Sequence, residues 1–247
     1  MEAGLKHPIF DPVRQWLDRT GGSPPLGLLN SLSEEAGLRS ESGKPIRFVP
    51  PAAADPYYEL QVYETGRVQT RAGSRHDLFN ALAWLAFPKT KARVNAMHAS
   101  EIPRERELGR GRRGRLRDML TIFDEGGAIV ACADAALMDL LLAGRWRELF
   151  WEQRARVVDA LRIVVVGHAV LEQALAPYAG ITCKVVLARP GEDLDAQAAA
   201  RISSLTSPKE LPPLPVFGYP GWLAANGSPA FYADLRHFRP RAAAAAR

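Results

Sequence analysis

Five polar residues in the stretch 76–98 fall at helical spacing: His76, Asn80, Lys91, Asn95 and His98. His76 and Asn80 are one turn apart, with Trp84 continuing their stripe while Leu78, Leu82 and Leu85 point elsewhere. Lys91, Asn95 and His98 fall at i, i+4 and i+7. Between the two sets, Phe87-Pro88 predicts a joint between two helices, because proline is accepted at a helix start and not in its interior. Polar groups aligned on an otherwise apolar helix pair need partners if they are buried. Either they bond to one another and to backbone, or they face a ligand. As a ligand site they offer catalytic candidates: His76 or His98 as acid or base, with Asn80 and Asn95 orienting the substrate. Asp77, three residues after Ser74, has a structural task instead, as part of a capping pattern at the helix start.

Other segments supply further walls. Arg75, Lys91, Arg115 and Arg117 are candidates for neutralising an anionic substrate, with Asp118 placed to orient a guanidinium. His168 and Glu172 are four residues apart, so one helix face can present both to a metal, with His76 or His98 completing three ligands. The plain alternative is a core histidine, since Leu161, Val164, His168, Leu171 and Leu175 form an apolar stripe. A divalent metal is therefore one candidate cofactor. Seven arginines lie in 104–117, with Gly109, Gly111 and Gly114 among them. A glycine-rich basic loop of this kind can hold phosphates. It contains no aromatic residue for stacking on single-stranded bases. No P-loop and no nucleophile-elbow motif is present.

The elements that must position these residues can be read coarsely. Residues 8–19 predict a short amphipathic helix. Pro24-Pro25 opens a second, ended by Gly37, and Ile46–Val49 a short strand. Alternation from Tyr57 to Arg71 around Thr65-Gly66 predicts a β-hairpin. A second hairpin is expected from 119–123 and 128–133, with Asp124-Glu125-Gly126-Gly127 as its turn. Asp134 caps a helix through Ala143, Trp146–Leu175 reads as helical throughout, Ile181–Leu187 as a strand, and Leu194–Leu205 as a surface helix. Five prolines between 208 and 220 forbid a helix there, which predicts an extended C-terminal arm over 208–240. Ala242–Arg247 is low-complexity tail, expected to fray from position 241 onward.

The composition of the 247-residue chain, 47% hydrophobic and 24% charged, is that of an ordinary globule and excludes disorder throughout. A net charge of +5 suits an anionic ligand without demanding one. Cys132 and Cys183 sit in β-like apolar strings and read as buried free thiols; no four-ligand zinc spacing exists. The N-terminal segment lacks the apolar core of a signal peptide, and the longest apolar run, Ile163–Leu171, is interrupted by His168. The expectation is a cytoplasmic protein with no membrane partner.

The blocks Arg75-His76-Asp77, Asn80, Trp84, Phe87-Pro88, Lys91 and Asn95, then Arg117-Asp118, Thr121 and Phe123-Asp124-Glu125 follow one another in order. Gly167-His168-Ala169, Glu172, Gly180-Ile181-Thr182, Pro215-Val216-Phe217-Gly218, Pro220-Gly221-Trp222, Asn226, Phe231-Tyr232, Asp234 and Phe238-Arg239-Pro240 continue the pattern. From about residue 46 to 240 the chain resembles a family of proteobacterial proteins known only as a domain of unknown function. The resemblance implies a bacterial source, one continuous domain and a pocket shared by these blocks. It implies no substrate.

The expected fold is α+β, a single domain over 1–240 with its core at 46–205. A helical body would carry a small, mostly antiparallel sheet built from the two hairpins, and α/β is the runner-up. The expected function is an enzyme, hydrolase-like, acting on a phosphorylated or otherwise anionic small ligand. Two other readings stay open: a nucleic-acid-binding module using the arginine loop, and a non-catalytic structural or partner-binding protein.

Overall fold

A computed structural model describes residues 5–52, 57–109 and 113–241. The central part of the arginine loop, including Arg110 and Arg112, and the tail from residue 242 onward lie outside the described residues. After a 3-10 turn at Pro8–Val13 the elements run α1 (Arg14–Thr20), α2 (Leu26–Glu35), β1 (Arg47–Val49), α3 (Tyr58–Thr65), β2 (Arg67–Gln69), α4 (Arg75–Ala86) and α5 (Pro88–Glu107). They continue with α6 (Arg115–Gly126), β3 (Gly127–Cys132), α7 (Ala135–Ala143), a π-helical turn at Glu148–Glu152, α8 (Arg154–Ala160) and β4 (Leu161–Val165). The chain closes with α9 (His168–Gln173), β5 (Thr182–Ala188), α10 (Leu194–Ser203), β6 (Pro213–Pro215) and a series of 3-10 turns.

The fold is α+β in a single domain, as expected. Its sheets are assembled differently from the two predicted hairpins. Strand order in the main sheet is β4-β3-β5-β6, with β3 parallel to β5 and the outer pairs antiparallel. Strand β3 lies inside it and is buried from Gly127 to Ala131, which explains its unbroken run of small and apolar residues. A second sheet is the parallel pair β1–β2, in register at Phe48 and Val68.

The first predicted hairpin is replaced by helix α3 followed by β2. Gly66 makes the change of direction: its φ is +73°, and a Cβ there would lie 2.1 Å from the Pro45 carbonyl oxygen, so only glycine fits. The second predicted hairpin fails because 119–123 is helical. Met119, Leu120 and Phe123 are fully buried on one face of α6 while Ile122 faces out, a period of 3.6 that a five-residue window hides. Residues 146–175 are not helical throughout either. The run Ile163-Val164-Val165-Val166 is β-branched, and its first three residues end strand β4, paired with β3. The apolar stripe from Leu161 to Leu175 is therefore not a helix face, and His168 stands at the start of a short helix instead of in the middle of a long one.

That start is held tightly. The Val166 and Gly167 amides both donate to the Gly127 carbonyl, at 3.0 and 2.8 Å. A Cβ on Gly167 would meet Gly127 N at 2.5 Å and the Glu125 carbonyl oxygen at 2.6 Å. The turn entering α9 thus lies directly on the end of α6, with His168 beside Asp124 and Glu125.

The C-terminal segment is not draped over a finished body. Strand β6 pairs with β5, and Leu211, Leu214, Val216, Phe217, Tyr232 and Phe238 are buried in the same core as β3. Asn226, fully buried, donates through Nδ2 to the Phe217 and Tyr219 carbonyls and shapes the turns. At roughly 1.5–3 kcal/mol per large apolar side chain, loss of these residues is as large as the ~5–15 kcal/mol by which domains are stable. A chain truncated after Ser207 is expected to show no cooperative thermal transition by circular dichroism; a sharp transition in that truncate would refute this account.

Candidate functional site

Helices α3, α4, α5, α6 and α9 surround a cavity of about 470 Å³. Its walls include Tyr58, Glu59, Arg71, His76, Asp77, Asn80, His98, Arg113, Arg117, Thr121, Asp124, Glu125 and His168. Five of the residues singled out from sequence, His76, Asn80, His98, Arg117 and His168, line it together. Lys91 and Asn95 lie directly behind this wall, against Asn80 and Asp124. Arg75, Arg115 and Asp118 are exposed and are not among the lining residues, so the structure does not bring them to the cavity. These three were named from their charge and order along the chain, and α4 and α6 leave them exposed.

The floor is a network centred on Lys91. Its Nζ donates to Asn80 Oδ1 at 2.8 Å and to Asp124 Oδ1 at 2.5 Å, and lies 5.6 Å from the Trp84 ring centroid. The Lys91 side chain is 5% exposed and that of Asp124 20%. Burial by itself would raise the Asp124 pKa; the Lys91 charge, His168 and the Lys91 hydrogen bond outweigh it and hold the carboxyl below its usual range. Asn95 Nδ2 donates to the Glu59 carbonyl at 2.8 Å and to Glu59 Oε2 at 2.7 Å, which ties α5 to α3. Burial and the nearby Asp124 charge raise the Glu59 pKa. The Tyr58 phenol, also raised by burial and by Glu59 and Asp124, stays protonated beside Asn80.

Asp77 does more than the predicted cap. Ser74 Oγ accepts from the Asp77 amide at 3.2 Å, but the Asp77 carboxylate takes the Arg71 backbone amide and two guanidinium N–H groups at 2.7–2.9 Å. Burial would raise its pKa, and the bonds from Arg71 reverse that. The clamp fixes the chain entering α4 and holds Arg71 at the cavity. On the far side Arg117 donates to Glu105 Oε2 at 2.8 Å and, through Nε, to His98 Nδ1 at 3.4 Å. An imidazole that accepts at Nδ1 is neutral and carries its proton on Nε2.

The histidine pair stands between α4 and α9. His76 Nδ1 is 3.2 Å from Glu172 Oε2, and His76 Nε2 is 3.2 Å from His168 Nε2. Glu125 Oε2 lies 3.4 Å from His168 Nε2 and 3.9 Å from His76 Nε2. His168 is 3% exposed, and its Nδ1 has no hydrogen-bond partner, with Asp124 Oδ2 3.7 Å away. The four-residue spacing of His168 and Glu172 does put both on one face, but Glu172 reaches Nδ1 of His76 and leaves Glu125 to join the imidazoles. Among the described residues, His76, Glu125 and His168 form the group whose ligand atoms converge; His98 lines the same cavity outside that group.

Sequence reading missed Tyr58, Glu59, Asp124 and Glu125 as site residues, because it placed the first pair in a strand and the second in a turn. The signal was there for α6: Arg117, Thr121 and Asp124 recur at i, i+4 and i+7 opposite the buried Met119, Leu120 and Phe123. The arginine run is not one loop. Arg104 and Arg106 end α5, the first paired with Glu101 and the second over the Tyr57 ring, while Arg115 and Arg117 open α6.

An α+β domain with a polar cavity walled by histidines and carboxylates is the class that this fold and site define. The chain belongs to the family described as Protein of unknown function (DUF3025), which it matches over residues 46–242. No curated protein and no solved structure matches it. Among the described residues no helix is long and apolar enough to cross a membrane.

Two outcomes follow from these contacts. Lys91→Met leaves Asp124 as an uncompensated charge in a desolvated site, and is expected to lower stability by about 3–5 kcal/mol in urea unfolding; a loss under 1 kcal/mol would show the pair to be dispensable. Burial, opposed by the Asp124 charge and assisted by Arg117, pushes His98 down to about 4. Its unfolded value is about 6.5, so between these pH values the unfolded chain binds the extra proton, and stability falls as pH drops from about 7 toward 4. His98→Gln is expected to flatten that slope by up to one proton, read from unfolding free energies across this window.

Proposed function

We propose that the cavity is the active site of a hydrolase acting on a small anionic substrate, with phosphoesters the first class to try. The observation that carries this reading is the convergence, in one half-open cavity, of paired imidazoles held by carboxylates with three guanidinium groups. Glu172 orients His76 from behind, as a general base requires. Arg71 and Arg113 stand at the wall with donors to spare: Arg71 uses Nε and one terminal nitrogen on Asp77, and Arg113 uses one nitrogen on Thr121. A planar guanidinium with free N–H groups suits a phosphate or carboxylate oxygen. Asn80, fixed by Lys91, and the Tyr58 phenol supply neutral polar contacts for orientation.

In such a reaction a water in the cavity gives a proton to the imidazole pair as its oxygen bonds to the phosphorus. The ester P–O bond breaks, and the proton passes to the departing alkoxide. The guanidinium groups balance charge that grows on the phosphoryl oxygens. A cytoplasmic, bacterial setting is part of this reading. The arginine run supports the nucleic-acid alternative poorly, since its described members divide between two helix ends and their own partners.

The test is hydrolysis of p-nitrophenyl phosphate and of bis-p-nitrophenyl phosphate by the purified chain. His76→Ala is expected to lower kcat/KM at least 100-fold with a melting temperature within about 2 °C of the parent, because the side chain is a third exposed. Arg113→Ala is expected to raise KM about tenfold. Absence of turnover on mono- and diesters, with no binding of phosphate either, would sink the reading.

A further inference from the structure

The two imidazoles face each other through Nε2 at 3.2 Å, and the tautomer of each ring decides whether a proton or two lone pairs stand between them. A carboxylate only accepts, so Glu172 at 3.2 Å draws the proton of His76 onto Nδ1 and leaves Nε2 a bare lone pair. His168 differs: its Nδ1 is buried without a hydrogen bond, 3.7 Å from Asp124 Oδ2. In the tautomer with its proton on Nδ1, toward Asp124, His168 offers the Nε2 lone pair to an ion. The two Nε2 atoms are 3.2 Å apart, with Glu125 Oε2 at 3.4 and 3.9 Å from them. Among the described residues, three potential ligand atoms thus converge, one from each of His76, Glu125 and His168. Asp124, Glu125 and Glu172 crowd the same place, and Lys91 reaches Asp124.

We propose that His76, Glu125 and His168 bind a divalent transition-metal ion. The point in their plane equidistant from the three atoms lies about 2.0 Å from each, within the ~2.0–2.2 Å that zinc takes to imidazole nitrogen and carboxylate oxygen. Two neutral nitrogens and one carboxylate oxygen suit zinc, manganese or ferrous iron and are poor for calcium. Glu172 and Asp124, on the Nδ1 sides, are the carboxylates that orient metal-binding histidines and raise their basicity. Three protein ligands leave the cavity side of the ion open to water and substrate. The site also explains why a glycine is required at 167: only an unsubstituted backbone lets His168 approach Glu125 so closely.

The ion would deepen the hydrolase reading by placing water at the ion, but it does not depend on that reading, and the two fail separately. The test uses the full chain, stripped with EDTA and dialysed, then titrated with Zn²⁺ or Mn²⁺ alone by calorimetry and thermal melting. One equivalent is expected to bind, with the melting temperature rising roughly 5–10 °C when free metal is about 100-fold above Kd. Glu125→Gln keeps the side-chain volume at a partly exposed position and is expected to fold and to bind at least tenfold more weakly, as is His76→Asn. Glu172→Gln is expected to weaken binding about 10–100-fold without changing the stoichiometry. X-ray absorption of the zinc-loaded chain should show two imidazole ligands. No binding at pH 7–8, or binding unchanged in both Glu125→Gln and His76→Asn, overturns the site and leaves a shared proton between the histidines. Metal bound without turnover on any ester sinks only the hydrolase reading. Turnover that persists in EDTA in a chain that binds no metal sinks only the metal.

Discussion

The ion pair between Lys91 and Asp124 is the contact on which the rest of the site depends. Both charges have been taken largely out of water, which costs several kcal/mol per ion unless geometry and further hydrogen bonds return it. Here three groups do so: Asn80 takes a second Lys91 proton, the Trp84 face takes the third side of the ammonium, and His168 stands against the other Asp124 oxygen. These partners come from α4, α5, α6 and α9. One buried pair therefore sets the relative position of four helices, and with them the spacing of His76, His98, Glu125 and His168.

Around that pair the backbone does the fine positioning. The Gly127–Gly167 contact presses the α9 entry onto the end of α6, closer than any side-chain-bearing residue allows. The N-terminus of α5 has no cap of its own at Phe87; its Lys89 and Thr90 amides donate to Asp195, from α10, at 2.8 and 2.9 Å. The helix that carries Lys91, Asn95 and His98 is thus fixed at its start by a residue about a hundred positions away, while Glu59 of α3 holds its middle. Most of these ties are polar and partly buried, where a satisfied hydrogen bond is electrostatically stronger than in water.

The helix pair around Pro88, the face shared by His76 and Asn80 and the face shared by Lys91, Asn95 and His98 were all legible, because proline and a 3.6 period leave local marks. The α7 cap at Asp134 and strand β5 were legible from local marks of other kinds, a capping carboxylate and a short apolar β-branched run. Helices α3 and α6 were not. Both are short and apolar enough over four or five residues to pass for strands, and what decides between the two is packing that lies outside the window. Strand β4 fails in the opposite direction: next to a helix-compatible sequence, its β-branched run is recruited by pairing with β3.

The amino-acid sequence by itself determined the residue types of the site, their local spacing and the joint that brings two polar faces together. Which carboxylates would stand beside the histidines was decided only by the tertiary structure. Asp124 and Glu125 look like a turn until α6 is packed, and Glu172 looks like a ligand until α9 is seated on Gly127. The physical reason is that helical periodicity is a property of neighbouring residues, whereas a three-atom convergence at bond-length scale depends on how separate helices are pressed together by a shared core and one buried ion pair.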